Sequence, residues 1–249
     1  MSLATIILAA GMGKRMNDVT KSKVMFEVCG KPSIEYVTET ALAIWSEKIV
    51  VIVWFQKEQV MDFIKKRFDN NPLIEFAVQS EQLWTWHAVA QAESNLSDFS
   101  WSVAILSWDV PLLKPETMKN FITYHELWGY STSLISCQFE NPTWYWRIIR
   151  DSENEFIYIK EEKDAWEEEK KVKEINSWIY ACDCKKLFES LKTIDNQNAQ
   201  NEYYLTDIFS HFRKKWEKLW AYEIQDSLEI SWINTIDQLK NLEEEFMKK

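Results

Sequence analysis

Thr5-Ile6-Ile7-Leu8-Ala9-Ala10-Gly11-Met12-Gly13-Lys14-Arg15-Met16 is the stretch whose reading decides the fold. Its first four residues are a continuous apolar run, as expected of a strand buried on both faces. A polar, glycine-containing segment follows, from Gly11 to Ser22. Two glycines let a backbone approach phosphates closely, with N–H groups turned toward them. Lys14 and Arg15 add positive charge, and an arginine fork can hold phosphate in bidentate fashion. A bare G-x-G also fits a plain strand-to-helix turn. Its place after the first strand, with Lys23 and Gly30-Lys31-Pro32 downstream, favours a phosphate loop.

Outward from this loop, apolar runs and helical periodicities alternate. Residues 33–44 have helical spacing, 48–53 (KIVVIV) read as a buried strand, and 56–68 as a helix. Residues 74–78 give a third strand, 86–95 a helix, and 102–106 (SVAIL) a fourth strand that runs on to Asp109. This alternation predicts an α/β fold, Rossmann-like, with a mainly parallel sheet flanked by helices. Ligands of such sheets bind at the carboxyl ends of the strands. The second half changes character. Residues 132–139, 147–150, 156–160 and 175–181 read as strands of mixed polarity, an antiparallel or mixed extension over the site. Residues 202–216 and 234–247 read as helices, the last amphipathic and so packed on the body. The charged stretch from Lys160 to Glu174 reads as a solvated loop or helix, with its first residues, Glu161 to Asp164, allowed a separate role.

Composition narrows the function classes. The chain has 249 residues and a formal net charge of −10, which argues against broad binding to nucleic acid or anionic membrane. Its N-terminal apolar run is too short to span a bilayer and lacks a preceding basic segment, so the cytoplasm is the expected compartment. Cys182-x-Cys184 lacks the spacing of a zinc knuckle and has no nearby histidine, so these thiols are expected to be reduced and buried. Asp109 precedes Val110-Pro111-Leu112-Leu113 at the end of the fourth strand. A carboxylate there can hold Mg²⁺ against substrate phosphates, or else serve as a turn or cap residue.

The segment from Leu8 to Met16 resembles the sugar-1-phosphate nucleotidyltransferases, whose signature is L-A-A-G-x-G-x-R-M followed by P-K. Ser22-Lys23 stands where Pro-Lys is usual, and Lys14 where Thr is common. Five further stretches narrow the resemblance to the N-acetylglucosamine-1-phosphate uridylyltransferase branch. Residues 79–88 (QSEQLWTWHA) resemble Q-x-E-Q-L-G-T-G-H-A, and 141–148 (NPTWYWRI) resemble N-P-T-G-Y-G-R-I. Residues 161–165 (EEKDA), 174–179 (EINSWI) and 198–207 (NAQNEYYLTD) resemble E-x-K-D-A, E-I-N-[ST]-G-I and N-A-Q-G-E-Y-Y-L-T-D.

This resemblance implies a nucleotide-diphospho-sugar transferase type of fold over residues 1–234, with a C-terminal helix over 235–249. It implies Asp109 and Asn234 as Mg²⁺ ligands, and Arg15 and Lys23 as the charges facing the triphosphate. Leu8, Ala10, Gly11, Gly13, Gln79, Trp84 and Thr85 would line the nucleotide site. Trp146, Glu161 and Asn176 would line the sugar-phosphate site. The substrates implied are UTP and N-acetylglucosamine-1-phosphate, with His87 structural rather than catalytic. Bifunctional members continue into a left-handed β-helix that carries an acetyltransferase. No hexapeptide repeat occurs here, so that activity is expected to be absent from this polypeptide, with a monomer as the default. Two alternatives stay open: another sugar-1-phosphate nucleotidyltransferase, or a catalytically impaired nucleotide-binding protein.

One number is abnormal. Glycine occurs 4 times and tryptophan 14 times. Their sum, 4 + 14 = 18, is near the roughly 7% that glycine alone contributes to ordinary domains. Trp84, Trp86, Trp108, Trp144, Trp146, Trp178 and Trp232 fall on glycines of the resembled motifs, and Trp54 is a further candidate. A gene that uses UGA for glycine, read with UGA as tryptophan, accounts for the deficit, the excess and the positions together. The alternative is a genuine tryptophan-rich variant. In a chain that carries these indoles, Trp84 and Trp86 are expected to crowd the uracil pocket and Trp146 the sugar pocket.

Overall fold

The computed structural model describes residues 2–11, 22–81, 83–194, 203–233 and 235–248. The first half alternates strand and helix. Its elements are β1 (Leu3–Leu8), β2 (Glu27–Val28), β3 (Lys31–Pro32), α1 (Ser33–Ala43), β4 (Lys48–Val53), α2 (Lys57–Arg67), β5 (Ile74–Val78), α3 (Trp84–Ala90) and β6 (Ser102–Ser107). The second half adds α4 (Pro115–Leu127), β7 (Thr132–Gln138), β8 (Arg147–Arg150), β9 (Phe156–Lys160), α5 (Glu167–Lys170), β10 (Glu174–Asp183), α6 (Cys184–Leu191), α7 (Asp207–Lys214), β11 (Leu219–Ile224) and α8 (Ile236–Met247).

The main sheet runs β11-β7-β10-β6-β1-β4-β5, with β8 and β9 continuing from β10. β1 lies between β4 and β6, parallel to both, and β5 extends the parallel half. β10 runs antiparallel to β6 and β7, and β11 lies parallel to β7. The mixed extension expected of the second half is therefore present, and it widens the sheet on the β6 side.

Period-two alternation along β1 sends its residues into two cores. Leu3, Ile7 and Ala9 join one with Val37 and Ala41 of α1, Val60 and Ile64 of α2, and Met118 and Phe121 of α4. Ala4, Ile6, Leu8 and Ala10 join the other with Val89 of α3, Leu187 of α6, and Phe209 and Phe212 of α7. Helices thus cover both faces, which is why the central strands are apolar without interruption. A third, smaller core joins Val28, Leu112, Leu228 and Ile233 to Leu242 of α8. The Cys29 amide donates to Glu243 Oε1 at 2.7 Å, so α8 is held to the β2–β3 hairpin.

Some boundaries differ from the expectation. α3 starts at Trp84 and ends at Ala90, and the residues after it form successive turns rather than helix to 95. The helix expected over 202–216 spans Asp207–Lys214, with 202 outside the described residues. α4, α6 and β11 were not anticipated. Cys137, Cys182 and Cys184 are buried free thiols, and Cys29 is exposed. Burial pushes the Cys182 thiol up to about 12, with Thr132 Oγ1 3.1 Å from its Sγ. Among the described residues no helix is long and apolar enough to cross a membrane.

Candidate active site

Parallel pairing brings the ends of β1 and β6 together, with Leu8 opposite Ser107. The Trp108 amide donates to the Leu8 carbonyl (3.2 Å), so Asp109 emerges beside the loop that leaves β1 through Ala10 and Gly11. Ser107 Oγ donates to Asp109 Oδ1 at 2.5 Å, fixing the carboxylate's direction. The Ile233 amide donates to the Asp109 carbonyl (3.0 Å), which brings the late segment to the same strand end. Asn234 is the next residue in the chain. It lies outside the described residues, as do Gly13 and Arg15.

Lys23 begins a single 3₁₀ turn, Lys23–Met25, directly after Ser22. Its Nζ sits 4.3 Å from the centre of the Trp108 ring. A Cβ added at Gly11 would overlap the Lys23 Cε and Nζ. Only glycine at 11 leaves room for the ammonium in this position. Gly11, Lys23, Asp109 and Ile233 therefore share one edge of the sheet.

Gln79 follows β5 and is buried. Its amide donates to the Val53 carbonyl (2.9 Å), its Nε2 donates to the Trp84 carbonyl (3.2 Å), and Nε2 lies 3.1 Å from His87 Nδ1. His87 also contacts the Glu81 carbonyl and Gln91 Nε2, partners suited to a structural role. Thr85 is half-buried on α3, and Trp84 ahead of it is exposed. Trp86 turns away toward α6: its Nε1 donates to the Leu191 carbonyl (2.7 Å), and its ring stacks on Tyr203 at 4.9 Å. The structure thus brings Gln79, Trp84 and Thr85 together, while the Trp86 ring is anchored on α6.

The sugar-side residues lie on the strand extension. Glu161 is buried at the end of β9, and its Oε2 accepts from the Lys163 amide (2.7 Å). Beside it, the Arg147 guanidinium is buried, pairs with Glu162 Oε2 at 2.6 Å and donates to the Tyr145 carbonyl. The Asn176 amide donates to the Trp146 carbonyl (2.9 Å). The Asn176 side chain is taken up locally: Nδ2 donates to the Tyr180 hydroxyl (2.8 Å), and Oδ1 accepts from the Trp178 amide (3.2 Å).

Aromatic rings link these parts. The Trp146 ring contacts Trp178 (5.2 Å) and Tyr204 (4.7 Å), Trp178 contacts Trp232 (6.5 Å), and Trp232 contacts Tyr145 (4.1 Å). The Tyr145 hydroxyl bonds to the Trp232 backbone near Asp109. Burial and that carboxylate's negative charge raise its pKa. A run of indoles therefore links Tyr145, near Asp109, to Tyr204. Ser107 and Tyr145 escaped the sequence reading. Tyr145 lies inside the quoted 141–148 motif, and Ser107 two residues before Asp109, but neither residue type marks itself as a carboxylate's neighbour.

The donor set at this edge suits a hard cation. Asp109 offers a carboxylate oxygen fixed by a hydroxyl. Magnesium is typically held by one or two carboxylates together with substrate phosphates. Among the described residues no cluster of three or more His, Cys, Asp or Glu side chains could hold an ion by itself.

Residues 5–199 match the family model of the MobA-like NTP transferase domain. The bifunctional protein GlmU of Thermoanaerobacter pseudethanolicus is 42% identical over 247 residues, covering 99% of this chain and 52% of the relative. The bifunctional protein GlmU of Streptococcus uberis is 39% identical over 234 residues, covering 94% of this chain and 50% of the relative. The chain thus spans about half the length of the curated relatives it matches. A solved UDP-glucose pyrophosphorylase complexed with UDP-glucose superposes with a TM-score of 0.79 at 15% identity, covering 100% of this chain and 99% of that one. The apo form of a UDP-glucose pyrophosphorylase gives 0.77 at 16%. At such identity these neighbours establish the fold alone, a Rossmann-like mixed sheet of mostly parallel strands flanked by helices. By the match over residues 5–199, the chain belongs to the MobA-like NTP transferase domain family.

Proposed function

We propose that this chain transfers the uridylyl group of UTP to N-acetylglucosamine-1-phosphate, releasing pyrophosphate and forming UDP-N-acetylglucosamine. The observation that carries this is the shared edge of Gly11, Lys23, Asp109 and Ile233. A glycine loop, an ammonium and a carboxylate meet there at the carboxyl ends of parallel strands, where such sheets bind nucleotides. The identity with the GlmU proteins supports the choice of substrates, and the motifs at 79–88 and 141–148 support uracil and the amino sugar.

In this reaction an oxygen of the sugar-1-phosphate attacks the α-phosphorus of UTP in line, and pyrophosphate leaves. The nucleophile is already an anion, so no side chain has to remove a proton. Positioning and charge neutralisation do most of the catalysis. The Gly11 backbone receives the triphosphate closely, and Lys23 with Arg15 offsets its charge. Asp109 and Asn234 would hold Mg²⁺, which when bound supplies further charge neutralisation on the phosphates. Gln79 and Thr85 face the base, and Glu161 and Asn176 the sugar. The reaction belongs to the cytoplasm.

The indoles linking Tyr145 to Tyr204 favour a second reading for the chain as written: nucleotide binding with impaired transfer. Initial rates of pyrophosphate release separate the two, since the impaired reading predicts UTP binding without release. Substrate choice is then read with UTP against CTP and N-acetylglucosamine-1-phosphate against glucose-1-phosphate. Uridylyl transfer requires preference for the first of each pair. Preference for CTP or for glucose-1-phosphate would move the chain to another branch of the nucleotidyltransferases.

A further inference from the structure

Among the described residues, ten residues other than glycine adopt positive φ, and five are tryptophans: Trp45 (60°), Trp84 (63°), Trp144 (73°), Trp178 (66°) and Trp216 (58°). Four of the other five are Asn, Asp, Gln or Cys at 50–52°. Asn and Asp tolerate this region. A bulky side chain there is a genuine outlier.

Two of the five lie outside every motif quoted above, and their surroundings are diagnostic. α1 ends at Ala43, with Ile44 as its cap. The Trp45 amide donates to the Leu42 carbonyl (3.1 Å), and the Ser46 amide to the Ala41 carbonyl (3.4 Å). α7 ends at Lys214, with Lys215 as its cap. The Trp216 amide donates to the Arg213 carbonyl (3.0 Å), and the Glu217 amide to the Phe212 carbonyl (3.1 Å). Both are Schellman ends, whose left-handed residue is usually glycine. α4 supplies the comparison within the same chain. Gly129, with φ 63°, donates to the Glu126 carbonyl (3.1 Å), and the Tyr130 amide to the His125 carbonyl (3.0 Å). The three ends share one bonding pattern, with glycine in one and tryptophan in two. Trp45 is 74% exposed and Trp216 95%, so burial of the indoles offsets little of the strain.

The other three also sit where glycine serves a backbone need. The Tyr145 amide donates to the Pro142 carbonyl (3.0 Å), which makes Trp144 the third residue of a turn whose positive-φ form calls for glycine. Trp178 lies within the register shift of β10 between Asn176 and Tyr180, and strand bulges use glycine for a left-handed residue. Trp84 opens α3 beside Gln79.

We infer that the working form of this protein carries glycine at its tryptophan positions, Trp45 and Trp216 included, because a codon read as tryptophan specifies glycine. The sugar-phosphate cleft then opens only in that form. Indoles at 146, 178 and 232 form a continuous run of ring contacts between Tyr145 and Tyr204. Glycines there would remove the rings that Tyr145 and Tyr204 pack against. The cleft half of the inference rests on the transferase reading above, and the backbone half does not.

The test compares glycine with alanine, which removes the indole in both cases and isolates the backbone. Trp45→Gly should exceed Trp45→Ala in folded-to-unfolded ratio by about fivefold, and Trp216→Gly should exceed Trp216→Ala likewise. Gly129→Ala should lose a similar factor. At Trp128, where φ is −93°, alanine should be at least as stable as glycine. Equal stability of the glycine and alanine forms at 45 and 216 overturns the inference. If the chain as written is insoluble, soluble yield of fully glycine-restored and alanine-restored chains makes the same comparison. UGG codons at 45 or 216 in the gene also overturn it, and UGA codons support it. These measurements involve no substrate. A stable glycine form that releases no pyrophosphate therefore counts against the transferase reading and leaves the backbone result standing.

Discussion

His125 of α4 is 2% exposed, with Nδ1 2.9 Å from Ser133 Oγ. Burial lowers its pKa from 6.5 to about 4, with Asp183 pulling weakly the other way. Between those values the unfolded chain binds the proton and the folded chain does not. The stability this histidine leaves intact above pH 6.5 is lost as pH falls toward 4, by about 3 kcal/mol. Urea unfolding at pH 7, 5 and 4 should follow that decline, and a His125→Gln variant should flatten it. At the loop, Gly11→Ala should displace only the flexible end of Lys23. Thermal stability should change little, while pyrophosphate release falls by about 10²-fold, as expected when a charged group is displaced. A parallel loss of melting temperature would mean that glycine serves the backbone there instead.

A buried ion pair ties β8 to β10 in the strand extension. Arg150 of β8 donates through Nε and Nη2 to the two oxygens of Glu174 on β10, both at 2.7 Å, and Ser136 of β7 donates to the same carboxylate at 2.6 Å. Arg150→Met leaves a buried carboxylate without its cation, so a loss of about 3–5 kcal/mol is expected by denaturant unfolding. If Arg150→Met unfolds at the same denaturant concentration, the pair is not what holds β8 to β10. Elements with strong apolar runs were legible. β4 spans Lys48–Val53, β5 Ile74–Val78, β8 Arg147–Arg150 and β9 Phe156–Lys160, each as expected. α4 went unassigned although Met118, Phe121, Ile122 and His125 line its buried face at helical spacing behind a Pro at its first position. The buried histidine and exposed Tyr124 blurred that face. α6 is only eight residues long, and its clearest signal is Asp183 capping the Lys186 amide. β11 runs at the sheet edge with mixed burial, so it lacks the continuous apolar run of a central strand.

Across the molecule, the site was legible to the extent that it hangs on strand ends. A glycine loop after β1 and an aspartate after β6 must meet if those strands are parallel neighbours, and they are. The Ile233 amide on the Asp109 carbonyl extends this to the late segment. Contacts set by side-chain packing were not legible, such as Tyr145 against Trp232 or Arg147 against Glu162, because they depend on how β8 to β10 fold over the sheet. The central claim is that this edge performs magnesium-dependent uridylyl transfer. Its most direct test is pyrophosphate release from UTP and N-acetylglucosamine-1-phosphate by the chain with glycine at 84, 86, 146, 178 and 232, titrated with Mg²⁺, alongside the same chain carrying Asp109→Ala. The account predicts turnover that requires Mg²⁺ and falls by about 10²–10³-fold in the Asp109→Ala chain. Turnover that ignores the Asp109 substitution, or none at any Mg²⁺ concentration from a well-folded glycine chain, would contradict it.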